Sequence, residues 1–171
     1  MRSAHCESPV VAANAWLHRP APSAQREFWY QAFHQLELAE ELVDGRPDAV
    51  RAYLRHFWTH WSGPDFVPLR DRLDALASHY GAPGAFTASI GWYRAGSGTV
   101  ATSLAEQPPA QRITVPTTVL WPDHDPLFPR EWSDRLDEWF TDVDLRAVDG
   151  VGHFVPIEAP EVFAAAIAEH L

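Results

Sequence analysis

The pattern of hydrophobic residues changes once along the chain, and this change limits the folds that are open to it. Residues 113–121, ITVPTTVLW, form a continuous β-branched run, which is typical of a strand buried on both faces of a parallel sheet. A helix (REWSDRLDEWF), a second strand (VDLRAVD) and a final helix from Pro160 follow. Alternating strands and helices predict half of an open α/β sheet. A sheet of two or three strands cannot cover both of its own faces. We therefore expect these strands to be part of a larger sheet.

Residues before this point carry a helical pattern with several interruptions. In the segment EFWYQAFHQLELAEELV, Phe33, Leu36 and the Leu38–Leu42 pair recur at helical spacing, and Gly45 ends the pattern. Breaks rich in glycine and proline separate three further predicted helices, PDAVRAYLRHFWTHW, DRLDALASHY and GAFTASIGWYRAG. Four short helices with polar loops predict a small helical subdomain.

The two ends of the chain complete three predicted regions. Residues 9–16, PVVAANAW, form a short apolar run that predicts one buried strand followed by a loop. On the final helix, Val162, Phe163, Ala166 and Ile167 form one apolar stripe. The predicted regions are a residual core strand and loop (1–24), a helical subdomain (25–107) and the C-terminal part of an α/β core (108–171).

The composition disfavours several classes of function. The formal net charge of −10 argues against a nucleic-acid surface, because phosphate binding requires clustered Lys and Arg. The single cysteine, Cys6, cannot form a disulfide within this sequence, which favours a reducing cytoplasm. No apolar run approaches the roughly 18 residues that a bilayer-spanning helix needs, and no signal peptide pattern is evident. We expect a cytoplasmic protein that binds neither nucleic acid nor membranes.

Candidate catalytic residues follow the two predicted strands of the C-terminal region. The loop WPDHDPLFP offers Asp123 and Asp125, and the loop DGVGHFVPIE offers His153. Reactive groups in open α/β sheets gather outside the carboxyl ends of the strands. A carboxylate that orients a histidine base is the second half of a catalytic triad, and the order acid before histidine fits one known arrangement. Taken singly, Asp125 also fits a turn residue and His153 a surface loop residue.

Together, VPTTVLWPDHDPLFP and VDGVGHFVPIEAPEVF resemble the C-terminal end of the α/β-hydrolase family. The resemblance implies that Asp125 is the acid and that His153 is the base. It leaves Asp123 and His124 as bystanders. It also implies the fold class, which is α/β: the C-terminal portion of an α/β-hydrolase sheet with an inserted helical cap subdomain.

The helical segments narrow the resemblance, because WYQAFHQLELAEELV and GWYRAG are similar to the cap domain of epoxide hydrolases. In that family a tyrosine from each of two cap helices points at the nucleophile, and the matching positions here are Tyr30 and Tyr93. Opening an epoxide places negative charge on its oxygen, and phenol hydroxyls can donate a hydrogen bond and a proton to it. Packing in an aromatic-rich core is the alternative interpretation for both tyrosines.

The resemblance also implies a nucleophile, and this sequence contains no candidate for it. In epoxide hydrolases an aspartate on a sharp turn upstream of the cap forms an ester with the substrate; neither that motif nor a His-Gly-x-Pro loop occurs here. Ser97 lies outside any G-x-S-x-G pattern, and Cys6 has no base nearby. His56 and His60 are one helical turn apart without a third zinc ligand. We expect no metal, no cofactor and no activity of this chain alone.

The leading hypothesis is a partial epoxide hydrolase-like protein, whose complete reaction would be cofactor-free hydrolysis of an apolar epoxide to a diol. One alternative is a haloacid or haloalkane dehalogenase, which would need halide-binding donors where Tyr30 and Tyr93 stand. A serine ester hydrolase of the same fold and a non-catalytic binding or interaction fragment remain open as well. The predicted partners are a small apolar substrate and, through the exposed edge of the partial sheet, another chain.

Overall fold

The computed structural model describes residues 26–95 and 108–171 of the chain. The predicted strand at 9–16, Cys6 and Ser97 therefore lie outside the described residues. The elements are α1 Trp29–Gln35, α2 Glu37–Val43, α3 Pro47–His60, α4 Arg70–Tyr80, α5 Ala85–Ala95, β1 Thr117–Pro122, a 3-10 helix Arg130–Glu138, β2 Val143–Val148, α6 Val155–Glu158 and α7 Pro160–Ala168. None of the described helices is both long and apolar enough to cross a membrane.

The helical subdomain is present, but its first predicted helix is divided in two. Leu36 adopts an extended backbone conformation, with φ −85° and ψ 143°, which ends α1 and resets the helical phase of α2. The predicted apolar face is therefore wrong: Leu36, Leu38 and Leu42 are 51%, 47% and 47% exposed. The buried residues of α2 are Ala39 and Val43, which face the other helices of this subdomain, α1 and α3–α5. We call α1–α5 the cap.

The core of the cap joins α2, α3 and α5 through one cluster of buried residues, Ala39, Val43, Val50, Phe86 and Ile90. A polar contact fixes the start of α5 against the end of α2. The Asp44 carboxylate accepts hydrogen bonds from the backbone amides of Gly84, at 2.7 Å, and Thr87, at 3.0 Å. At the other end of α5, the Arg94 side chain donates to the His34 carbonyl of α1 at 3.3 Å, and side chains of α1 and α5 line one cavity.

The two strands of the described residues run parallel, with Thr117 opposite Val143 and Pro122 opposite Val148. Their carboxyl ends therefore lie at the same edge of the sheet. The predicted strand at 113–121 is too long, because Ile113 forms only an isolated bridge and β1 begins at Thr117. The register changes between the two, because Ile113 lies opposite Phe140 whereas Thr117 lies opposite Val143. One extra residue on the β1 side interrupts the ladder, as in a β-bulge. Most of β1 is half-buried rather than buried on both faces.

The final helix begins at Pro160 as predicted, but its apolar stripe is not part of the core. Val162, Phe163 and Ile167 are 46%, 38% and 48% exposed, and only Ala166 of the predicted stripe is buried. The described part of the chain contributes two strands to the sheet, which is too narrow a surface to cover the stripe.

Candidate active site

Asp125 and His153 meet at the carboxyl edge of the sheet, Asp125 after β1 and His153 after β2. The Nδ1 atom of His153 lies 2.9 Å from Oδ2 of Asp125. The Asp125 side chain is 5% exposed, whereas the His153 side chain is 30% exposed. When Nδ1–H donates to the carboxylate, Nε2 becomes the basic nitrogen of the ring. The pair therefore has the geometry of an oriented general base.

Backbone amides hold the Asp125 carboxylate from its other side. Oδ1 accepts hydrogen bonds from the amides of Leu127, at 2.8 Å, and Phe128, at 3.3 Å. Each carboxylate oxygen thus has a donor, which compensates the loss of water around a buried charge. Asp125 therefore caps the turn that follows β1 and also contacts His153, so it has both positions that the sequence allowed.

Asp123 connects the loop after β1 to the loop that carries His153. Its Oδ1 accepts hydrogen bonds from the amides of Gly150, at 2.8 Å, and Val151, at 3.3 Å. Gly150 has a φ of +76°, a conformation that favours glycine. Asp123 thus shapes the loop that carries His153 without touching it.

The His153 loop is fastened to the end of α3 by very close backbone contacts. The His153 amide donates to the Trp61 carbonyl at 2.7 Å, and the two rings lie 5.4 Å apart. A β-carbon on Gly152 would stand 2.1 Å from the Trp61 carbonyl oxygen, and one on Gly63 would stand 2.1 Å from that of Gly150. Only glycine permits this approach, which joins the end of α3 directly to the loop that carries His153.

Glu158 is a site residue that the sequence interpretation missed. Its Oε2 accepts hydrogen bonds from the amides of Gly63, at 2.7 Å, and Gly152, at 2.9 Å, and its Oε1 accepts one from Phe154, at 3.0 Å. One carboxylate therefore joins the cap to both sides of His153. Gly63 is 95 residues away in sequence, so nothing in the motif GHFVPIE distinguishes Glu158 from an ordinary helix residue.

Tyr30 and Tyr93 come together in the cap, on α1 and α5 respectively. Their ring centroids are 5.9 Å apart at an interplanar angle of 89°. The Tyr30 ring also lies 5.3 Å from Trp61, the residue that contacts His153. Burial raises the pKa of both phenols, so both hydroxyls are protonated near neutral pH and can act as donors.

A cavity of about 410 Å³ is shared by the cap and the His153 loop, and its lining includes Tyr30, His34, Tyr53, Trp61, Tyr93 and His153. The aromatic rings pack on one another and also line the cavity. No aspartate or glutamate is among the described residues that line it. His34 and Tyr53 were not singled out from sequence, although His34 lies one helical turn after Tyr30 and on the same face.

The histidine pair of α3 is engaged in other contacts. Nε2 of His60 lies 2.8 Å from Oε2 of Glu27, and the His56 and His60 rings stack with centroids 5.3 Å apart. Within residues 26–95 and 108–171, no three or more His, Cys, Asp or Glu side chains are grouped so that they could hold a metal ion.

Comparison with solved structures finds the same fold in proteins of about twice the length. Wild-type Cfl2 from Burkholderia cenocepacia matches with a TM-score of 0.67 and 21% identity over 87% of this chain and 49% of its own. The epoxide hydrolase CorEH matches with a TM-score of 0.66 and 23% identity over 88% and 51%. An epoxide hydrolase from metagenomes of hot environments matches with a TM-score of 0.62 and 25% identity over 92% and 53%. The chain thus spans about half the length of these structures.

Comparison with curated proteins finds no match. A family model described as the alpha/beta hydrolase fold matches residues 20–160, which include the cap helices, Asp125 and His153. This match covers most of the chain and agrees with the parallel strands, the cap and the loops described above. The chain belongs to the alpha/beta hydrolase fold family.

Proposed function

We propose that the chain carries the acid–base pair and the ring-opening tyrosines of an epoxide hydrolase, which converts a small apolar epoxide to a diol without a cofactor. The observation that carries this proposal is the cavity lined at once by Tyr30, Tyr93 and His153. The likeness to a solved epoxide hydrolase at 25% identity supports the same reaction class.

In the first step a carboxylate nucleophile attacks one carbon of the epoxide and breaks its bond to oxygen. Tyr30 and Tyr93 donate hydrogen bonds to that oxygen, and one of them transfers its proton, so that the product is a hydroxyl group on an enzyme ester. Both phenols carry a proton before the reaction. Their burial favours this role because a site that excludes water strengthens their hydrogen bonds to developing charge.

In the second step Nε2 of His153 removes a proton from water, and the resulting hydroxide attacks the ester carbonyl. Asp125 holds the ring in the required tautomer and stabilises the imidazolium that forms. When the ester breaks, the diol leaves with the carboxylate restored, and the proton on His153 replaces the one that the phenol lost. No metal or redox group is required at any stage.

The described residues that line the cavity include no candidate for the carboxylate nucleophile. We therefore propose that it belongs to the remainder of an alpha/beta hydrolase fold, such as the half of the related structures that this chain does not match. The exposed apolar residues Val162, Phe163 and Ile167 support association with such a segment, in the same chain or another.

The alternatives of the same fold have less support. A dehalogenase needs donors to bind the halide, and the indole N–H of Trp61, which lies beside His153, is directed at the Glu27 carboxylate at 3.4 Å. A binding fragment without activity would retain the cavity but would gain nothing from the Asp125–His153 contact.

The test is diol formation from styrene oxide by the chain combined with a polypeptide that supplies the remainder of the fold. His153→Ala should reduce turnover by roughly a thousandfold or more, as expected for loss of a general base. His124→Ala is the matched control, because this imidazole is half exposed and lies in the neighbouring loop. This substitution should leave turnover unchanged. Equal turnover of both variants would contradict the proposed role of His153.

A further inference from the structure

A second polar site lies in the wall of the cavity. His34 on α1 is 6% exposed, and its Nε2 lies 2.5 Å from the hydroxyl of Tyr53 on α3. Both residues line the cavity. The wall around them is mostly apolar and includes Val50, Leu54, Phe57, Phe86 and Ile90. A buried imidazole in such a wall requires a physical reason, since burying an unpaired polar group is unfavourable.

The other ring nitrogen of His34 has no such contact. Nδ1 is buried and makes no hydrogen bond within the described parts of the chain. An unsatisfied buried polar atom costs about 1–3 kcal/mol, so a ligand atom that pairs with it gains a corresponding advantage over one that cannot.

The chemistry of the ring decides which ligand atom fits. Burial, together with the nearby Arg94 guanidinium, lowers the pKa of His34 to about 4, so the ring is neutral near pH 7. A neutral imidazole carries one proton and accepts at its other nitrogen. The Tyr53 phenol is more acidic than an imidazole N–H and therefore donates to Nε2. The remaining proton is on Nδ1, which makes that atom a hydrogen-bond donor.

We propose that the His34–Tyr53 pair is a binding subsite for an acceptor oxygen on the substrate, such as a carbonyl. The preferred substrates would then be epoxides that carry such an oxygen on an otherwise apolar body. This inference deepens the proposed function and rests on it, because the oxygen binds in the cavity that receives the epoxide. The His34 ring, whose centroid is 4.5 Å from that of Tyr93, lies close enough for one small molecule to contact both residues.

The test measures binding rather than catalysis, so that it does not depend on the nucleophile. Butyrophenone and butylbenzene differ only by a carbonyl in place of a methylene group, and neither contains an epoxide. Titration of the 171-residue chain with each gives two dissociation constants, in the wild type and in His34→Phe, which keeps a ring of similar size. We expect the variant to weaken butyrophenone binding by roughly fivefold while butylbenzene changes by less than about twofold.

A spectroscopic measurement on the wild type provides an independent readout. Butyrophenone should shift the imidazole Nδ1 resonance of His34, and butylbenzene should leave it in place. If His34→Phe does not fold, Tyr53→Phe replaces it: loss of the phenol proton from Nε2 should reduce the preference for the ketone. Equal effects on both probes, or an unchanged Nδ1 resonance, would overturn the subsite.

The two proposals fail in distinguishable ways. If the chain prefers butyrophenone through His34, but the chain combined with the remainder of the fold shows no epoxide turnover that depends on His153, the subsite is retained and the proposed reaction is contradicted. Turnover that depends on His153, with no ketone preference, retains the reaction and removes the subsite.

Discussion

The loops that hold His153 and the cap that holds the tyrosines are stabilised in different ways. In the loops three carboxylates, Asp123, Asp125 and Glu158, accept hydrogen bonds from backbone amides. In the cap the cavity wall includes many rings in edge and tilted contact, and His34 retains an unsatisfied nitrogen. Directional hydrogen bonds can fix a base at one position, whereas ring packing tolerates exchange of side chains. The loops are therefore expected to fix the position of His153, and the wall of the cap to determine which substrates bind beside its tyrosines.

The largest expected effect is on turnover and follows from substitution of Asp125, the proposed acid. Asp125→Asn keeps an acceptor for the Leu127 amide but removes the charge that sets the tautomer of His153. Turnover of the chain combined with the remainder of the fold (the complemented protein) should decrease roughly 100- to 10,000-fold. Asp123→Asn is the matched control, since Asp123 also binds backbone amides but does not touch the base; a decrease of more than about tenfold there would show that loop shape, not charge, dominates.

The next largest effect is expected when the contact of Glu158 with the cap and the loops is weakened. Glu158→Gln replaces one acceptor oxygen by an NH₂ group, which leaves backbone amides at Gly63, Gly152 or Phe154 without an acceptor. The free energy of unfolding in urea should decrease by about 1–3 kcal/mol. Glu41→Gln, on the exposed surface of α2, should change it by less than about 0.5 kcal/mol. Similar values for the two variants would show that Glu158 does not stabilise the contact between the cap and the loops.

The smallest effect is a pH dependence that belongs to the cap. The pKa of His34 is lowered from 6.5 to about 4 in the folded chain, so the unfolded state binds more protons between these values. Stability should therefore decrease as pH falls through this window, by about 1 kcal/mol between pH 7 and pH 5.5. In His34→Phe this contribution should be absent, and the difference between the two stability curves measures it. Parallel curves would mean that burial does not affect the charge of His34, which faces Tyr53, Tyr93 and Arg94.

The contact between Asp125 and His153 could be predicted from sequence because each residue lies in a local motif directly after a strand. Other features depend on distant contacts. The contact of Glu158 with Gly63 links residues far apart in the chain, and the break at Leu36 reverses the apolar face that a continuous helix would give. Likewise the pairing of His34 with Tyr53 depends on how α1 packs on α3. Periodicity reports the local pattern, whereas these features are set by tertiary packing.

The most direct test of the account is to trap the covalent ester by mass spectrometry in the complemented protein. In His153→Ala, styrene oxide should add its mass to the nucleophile segment and remain there, because the tyrosines still open the ring while hydrolysis is blocked. In the triple variant Y30F/Y93F/H153A the adduct should form at least roughly 100-fold more slowly, since a general acid typically contributes that much. Equal rates of adduct formation in the two proteins would contradict the shared cavity of cap and base as the site of the reaction.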